Sequence, residues 1–390
     1  MKVLDNVNHA VKVTMNCCRL YGLFVSDDLT KRQLIIMRAF SLMLYLFFVG
    51  FFITTQSALI ITMWGDLNLM TNVGLVLGTH LTLSAKVFTL HYKEKEITNV
   101  IYKNEVRLRA ETREQGKYII SEMNRETTLF MRLFIPFGMG TVTAWLLCTP
   151  KGELYTPAWY PCNTTKSPAH EIILAHQGIA VILTATLEIA IVLLMTSIVA
   201  VCRCRLKLVG LSFETICDDL PSNIMNKLTA DEQVIVAKRV RENVIEHQAV
   251  LECINDIQDC FSSAMLVHIA ISTMIICATA YQLAVEKSLD LTQRMTMASF
   301  LGGMSTEIFL FCYQGGHLSI DSMEVATAVY SCPWYTFPTS LKRSLLVIMI
   351  RAQQPALLTA GGFAPLLLDT FVSIMKASYS FFTVLQNASE

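Results

Sequence analysis

Charge is what this sequence has least of. Asp, Glu, Lys and Arg make up 16% of its 390 residues, against roughly 25% in a soluble globular protein, while 53% are hydrophobic. Water-soluble cores cannot absorb such an apolar excess. That excludes the two or three soluble domains the length would allow and points to a polytopic membrane protein. Neither sign of charge prevails, with 31 Lys and Arg against 31 Asp and Glu. Without a basic field to release counterions, nucleic acid is not an expected partner. The twelve cysteines include no CxxC pair and no Cys/His set at zinc spacing, so no metal site is expected. Met1 to Leu34 lacks the short apolar core and cleavage site of a signal peptide. A Gly-rich phosphate loop, a nucleophile elbow and an HExxH pair are also missing, so neither enzyme activity nor a cofactor is expected. So are the paired interrupted helices that many secondary transporters show.

What the sequence does have is a series of apolar runs, and about 20 mostly apolar residues suffice for a helix to cross a bilayer. Ala39 to Gly65 carries no charge, and Leu67 to Ala85 follows Asp66 as the second arm of a tight outer hairpin. Leu133 to Pro150, Ile172 to Cys202 (broken only by Glu188), Cys260 to Val285 and Met295 to Gln314 (broken by Glu307) are four more. Phe363 to Leu385, with Asp369 and Lys376, is the seventh and least hydrophobic. The expected fold class is an all-α membrane protein of seven transmembrane helices. Its parts are a cytoplasmic segment 1–34, helices one to four over 35–202 including an outer loop 148–170, and a cytoplasmic helical segment 203–259. Helices five and six follow over 260–314, then a second cytoplasmic segment 315–362 and a last helix with a short outer tail, 363–390.

With the N-terminus inside, 22 Lys and Arg fall on inner segments and four on outer ones, the asymmetry that sets orientation. Seven spans then leave the C-terminus outside. Arg38, Lys86 and Arg132 stand at inner helix ends, where long side chains snorkel to the surface. Both Asn-x-Ser/Thr acceptors, Asn163 and Asn387, fall outside, and Asn163 is the expected glycosylation site because Asn387 lies too near the chain end. Cys148 and Cys162 offer the one plausible disulfide on the oxidising side. Cys202-Arg203-Cys204, at the inner membrane edge, is either a palmitoylation target or a pair of plain thiols.

Thr229 and Glu232 have capping-box spacing, and Val240, Val244, His247, Leu251, Ile254, Gln258 and Phe261 follow at three- and four-residue steps. With no breaker before span five, one helix runs from Ala230 to Leu283, roughly 80 Å at 1.5 Å per residue. Its first half must project into the cytoplasm, either as a cluster joining neighbouring subunits or as a solvated charged helix. The outer loop 148–170 brings Tyr155, Trp159, Tyr160 and three prolines, which suit a lid over a pocket mouth or a headgroup belt. On the last helix Asp369, Ser373, Lys376, Ser380, Thr383 and Asn387 form one polar face, widened by Ser378 and Tyr379. Polar groups avoid lipid, so this ridge faces its own bundle or lines a wet pore shared by several subunits. Glu188, Glu307, His80 and His176, inside spans, are functional candidates or hydrogen-bonded structural groups.

The C-terminal third contains Tyr330-Ser331-Cys332-Pro333-Trp334-Tyr335, Arg343-Ser344-Leu345-Leu346, Met349-Ile350-Arg351-Ala352-Gln353, Thr359-Ala360-Gly361-Gly362 and Lys376-Ala377-Ser378-Tyr379-Ser380. In these motifs, and in Phe311-Cys312-Tyr313 followed by Gly316, the chain resembles the insect odorant receptors. It resembles a tuning receptor and not the shared co-receptor, because segment 203–260 lacks that subunit's long insertion. The resemblance implies a heteromeric, odorant-gated, non-selective cation channel, a tetramer formed with the co-receptor in the dendritic plasma membrane of olfactory neurons. It implies that the last helix lines a central pore gated around Thr383, Val384 and Asn387, and that a helix from about Ser340 to Gln354 joins an inner anchor. A small volatile odorant would bind in the outer half of the membrane, among spans two to six. By depth this gives Gly138, Thr141, Ala144 and Trp145, then His176, Gln177, Ala180 and Thr184, then Phe300 and Met304, with Trp145 as a stacking surface. A gustatory receptor of the same fold is the nearest alternative. A G-protein-coupled receptor would need its N-terminus outside, against the charge count, and would usually show an Asn-Pro-x-x-Tyr pattern that is absent here.

Overall fold

The computed structural model describes residues 8–24, 30–65, 67–150, 152–220, 228–285 and 291–389, without the side chains of 67–68, 71, 285, 381–382 and 384–389. Val384 and Asn387 of the expected gate therefore lie outside the described side chains. The chain opens with α1 (His9–Leu20), then α2 (Lys31–Tyr45), a π-helical turn (Leu46–Gly50) and α3 (Phe51–Thr62). Next come α4 (Leu67–Tyr92), α5 (Glu94–Arg109), α6 (Glu114–Cys148), α7 (Ala169–Glu214), α8 (Ala230–Val285) and α9 (Leu291–Ser331). The chain ends with α10 (Thr339–Ala352), a small hairpin of β1 (Thr359–Ala360) and β2 (Ala364–Pro365), and α11 (Leu368–Ser389).

Among the described residues, six helical stretches are long and apolar enough to cross a membrane, and α11 adds a 22-residue helix. The centre of the bundle is α7. From Ile189 to Leu206 no residue is exposed, as expected of a helix that is apolar all round, and it packs against α1, α6, α8 and α9. Span one is the opposite case. Ile35, Ile36, Phe40, Leu42, Met43, Leu46 and Phe51 are all exposed, a continuous apolar stripe of the kind that meets lipid.

The helices run on past the inner membrane edge further than hydropathy indicates. α4 reaches Tyr92, α6 begins at Glu114, α7 continues to Glu214 and α9 to Ser331, so the expected boundaries at 202/203 and 314/315 fall inside uninterrupted helices, while the one at 259/260 lies within α8, as a single helix from Ala230 to Leu283 requires. α8 opens on its capping box, with Thr229 N donating to Glu232 Oε2 (2.8 Å), and extends to Val285 as its unbroken periodicity required. Its cytoplasmic half is not a solvated rod, since Val240, His247, Val250, Ile254 and Ile257 are buried and the helix packs on α5 and α7.

Two arginines of α7 bind this inner region together. Arg203 donates to Asp321 Oδ2, Glu126 Oε1 and Gln314 Oε1, each at 2.8 Å. Arg205 donates to Asn104 Oδ1 (2.7 Å) and Glu246 Oε1 (2.7 Å). Cys202 and Cys204 are buried beside them, which closes them to acylation and removes the palmitoylation reading. At the turn from α5 to α6, Arg113 donates to both oxygens of Glu111 (2.8 and 2.7 Å) and holds that carboxyl below its ordinary range.

The hairpin between α10 and α11 is fastened to α8. Gln258 donates to the carbonyl (3.0 Å) and hydroxyl (2.6 Å) of Thr359 and accepts from its N–H (2.8 Å). Gly361 and Gly362 both have left-handed backbones, φ +62 and +77, which only glycine adopts cheaply. A Cβ on Gly361 would also meet Leu266 Cδ2 at 2.6 Å.

Candidate functional site

Four helices, α4, α6, α7 and α9, line a cavity of about 140 Å³. A dry apolar cavity of about 150 Å³ is large enough for benzene. Gly138, Thr141, Trp145, Thr184, Phe300 and Met304 line it together, with Val76, Leu83, Phe134 and Val181 among the apolar walls. Gly138 is there for space, because a Cβ would meet Ile189 Cδ1 at 2.6 Å.

A second cavity of about 280 Å³ lies on the outer side, lined by Tyr155, Thr156 and Pro157 of the outer loop with Thr279, Thr296 and Met297. The two share Val76, Trp145 and Phe300. Trp145 meets Phe300 edge to face, with centroids 6.0 Å apart at 80°, where, with Val76, both belong to the walls of the two chambers. The outer loop is held down as a lid. Trp145 Nε1 donates to Tyr155 O (3.0 Å), Gln177 Nε2 donates to Thr156 O (3.0 Å) and Thr156 N donates back to Gln177 Oε1 (3.2 Å).

The other expected pocket residues sit elsewhere. Gln177 is wholly buried and spends its amide on the lid. His176 Nε2 donates to Phe47 O (3.0 Å) at the π turn and packs among Phe47, Phe48 and Phe51. Ala180 is buried, Ala144 is half-buried, and neither lines the cavity. His176 and Gln177 fall short because they lie about two helical turns outward of Thr184. Cys148 and Cys162 are both free thiols; the first borders the outer cavity and the second is exposed on the loop, so the expected disulfide is not formed. Asn163 is exposed on that loop, its Oδ1 accepting from Thr165 N (3.0 Å) and Oγ1 (2.7 Å).

The inner end of the cavity carries what sequence reasoning missed. Lys86 does not snorkel. It is 1% exposed and bonded to Glu188 Oε1, with Glu307 Oε2 at 3.6 Å and the Phe311 ring at 5.8 Å. His268 Nε2 stands 3.5 Å from Glu307 Oε2. Glu188 and Glu307 both line the cavity, as does His80. Donor atoms of Glu188, His268 and Glu307 lie within 4.8 Å of one another, a spacing a metal ion would use, but here the Lys86 ammonium supplies the positive charge. The two glutamates were legible as intramembrane acids. Their partner was not, because the three groups come from three helices.

On α11 the polar ridge turns away from its own bundle. Asp369, Ser373, Lys376 and Ser380 are exposed and Thr383 is half-buried. Phe371 and Ile374 face inward and pack with Met304 and Ile308 of α9. Ser378 is buried and does not widen the ridge: two residues beyond Lys376 is 200° around a helix. Tyr379 is exposed, as the ridge reading expects.

Fold and cavity together define a helical membrane protein with an internal chamber. A family model described as 7tm Odorant receptor matches residues 66–379, and the chain belongs to the odorant receptor family. Odorant receptor Or1 of Anopheles gambiae is 22% identical over 393 residues, covering 95% of this chain and 93% of that one. Odorant receptor 10 of Aedes albopictus is 30% identical over 157 residues, and the match spans 40% of that relative's length. Among solved structures, the olfactory receptor OR5 of Machilis hrabei in complex with eugenol has the same fold, with a TM-score of 0.82 over 97% of both chains at 18% identity.

Proposed function

We propose that this chain is the odorant-binding subunit of a heteromeric, odorant-gated, non-selective cation channel, forming a tetramer with the odorant receptor co-receptor. It would act in the dendritic plasma membrane of olfactory neurons, with Asn163 glycosylated on the outer loop. One observation carries the reading. The chain holds both an apolar chamber between its helices and, on another helix, a polar ridge that its own bundle leaves uncovered. Lipid would not tolerate that ridge, whereas neighbouring subunits around a wet axis would. The gating residues at its outer end, Thr383, Val384 and Asn387, belong to this proposal.

A physical link joins the two features. Met304 lines the chamber and belongs to the same apolar cluster as Phe371 and Ile374 of the last helix, and Phe309 meets Phe371 edge to face at 5.6 Å. A ligand that pushes on Met304 or Phe300 therefore bears on the pore helix through α9. It opens the channel only if it binds the open packing better than the closed one. Support for the partner comes from the 28% identity over 160 residues with the odorant receptor coreceptor of Aedes aegypti. Support for a small volatile ligand comes from the eugenol complex of the Machilis receptor.

Co-expression with a co-receptor should give odorant-evoked cation current in cells whose G-protein signalling is blocked. Loss of all current under that blockade, with the receptor still at the cell surface, would favour the metabotropic class instead.

A further inference from the structure

We infer that the chamber selects a small amphiphile whose apolar body ends in a hydrogen-bond donor, a hydroxyl or an ammonium, seated against Glu188 at the inner end. The inference rests on reading this chamber as the odorant site.

The wall is mostly apolar; where it is polar it presents acceptors, and its hydroxyl and indole donors are already used. Thr79, Thr82, Thr141 and Thr184 each give the hydroxyl proton to a carbonyl of their own helix, at 2.7 to 3.1 Å. Trp145 Nε1 is committed to the lid. His80 Nδ1 lies 2.7 Å from Val76 O. A carbonyl only accepts, so that nitrogen holds the proton and the neutral ring's Nε2 is an acceptor. His80 Nε2, Glu188 Oε2 and Glu307 Oε2 are all buried without a hydrogen bond, and His80 and Glu307 are 4% and 7% exposed. Lys86, the strongest donor nearby, stands behind the carboxylates and is not on the wall.

Charge points the same way. Two carboxylates face one ammonium, so the cluster is neutral only if a proton resides on a carboxyl or on His268, whose other nitrogen is 3.4 Å from Ser272 Oγ. An unbalanced buried charge is costly. A ligand ammonium balances the second carboxylate and frees that proton to solvent, while a ligand hydroxyl donates to a vacant lone pair without changing the charge. An acceptor-only head, such as an aldehyde, meets a donor only while the cluster proton sits on a carboxyl oxygen; with that proton on His268 it finds lone pairs facing lone pairs.

The test uses four probes of equal heavy-atom number: benzyl alcohol, benzylamine, benzaldehyde and ethylbenzene, applied to the intact receptor co-expressed with a co-receptor. At least one donor-headed probe should open the channel at a concentration about tenfold or more below benzaldehyde and ethylbenzene. Glu188→Gln, which leaves an acceptor for Lys86 but removes the surplus charge, should narrow that ratio. A lead for benzylamine marks displacement of the cluster proton, and a lead for benzyl alcohol marks a neutral bond; both support the inference. Equal or greater potency of benzaldehyde or ethylbenzene on the wild-type receptor overturns it, whatever the variant does. If no volatile evokes current while a co-receptor agonist does, the odorant-channel reading itself fails.

Discussion

Lys86 shows how one side chain can be misjudged from its neighbours in sequence. A lysine near the inner end of a span ordinarily reaches for the surface, but Glu188 and Glu307 at the same depth hold it in the interior. Removing the ammonium leaves two carboxylates facing each other out of water, and losing one partner of a buried pair costs about 3–5 kcal/mol. Lys86→Met should therefore lower thermal stability in detergent and surface abundance sharply. The double variant Lys86→Met with Glu188→Gln should recover part of the loss. Fluorescence size-exclusion melting curves would measure both. Failure of the single variant to destabilise would mean that the pair carries no structural load.

That Trp145, Thr184, Phe300 and Met304 would meet at one depth was legible in advance, because depth along a helix follows from residue count. His176 and Gln177 do not line that cavity, and nothing in their sequence reveals the lid and the π turn that claim their polar atoms.

At the scale of the element, α11 is a helix with two incompatible faces. Phe371, Ile374 and Ser378 turn inward, while Asp369, Ser373, Lys376 and Ser380 turn outward. The period of its polarity was readable, and among the described side chains Ser378 was assigned to the wrong side. Ser380→Leu should reduce unitary conductance or shift ion selectivity while leaving odorant ranking as it is, because the change lies on the face away from the chamber. Single-channel recording with an odorant panel separates these effects, and a change in ranking alone would remove Ser380 from the conduction path. The cytoplasmic continuations of α4, α6, α7 and α9 were less legible. Hydropathy marks where lipid ends, and these helices continue because they find one another beyond it.

The whole molecule rests on α7, and below the membrane α7 rests on its arginines. Arg203 alone ties α7 to α6 and α9 through Glu126, Gln314 and Asp321. Arg203→Ala leaves Asp321, which is 4% exposed, with the longer Lys207 Nζ contact at 3.7 Å in place of its close partner, and losing the close partner of a buried charge costs several kcal/mol. The expected outcome is retention inside the cell, read as loss of surface-biotinylated receptor, with partial rescue by Asp321→Asn. Normal surface levels for Arg203→Ala would show that the inner bundle holds without this network. The series of long apolar helices was evident from apolar length. The shared chamber was not, because it is made of side chains brought together from four separate stretches of chain.

The edge-to-face meeting of Trp145 and Phe300 has a consequence for shape. Both rings belong to the walls of both cavities, so taking one ring away, as in Trp145→Ala, should merge two small rooms into a single longer one.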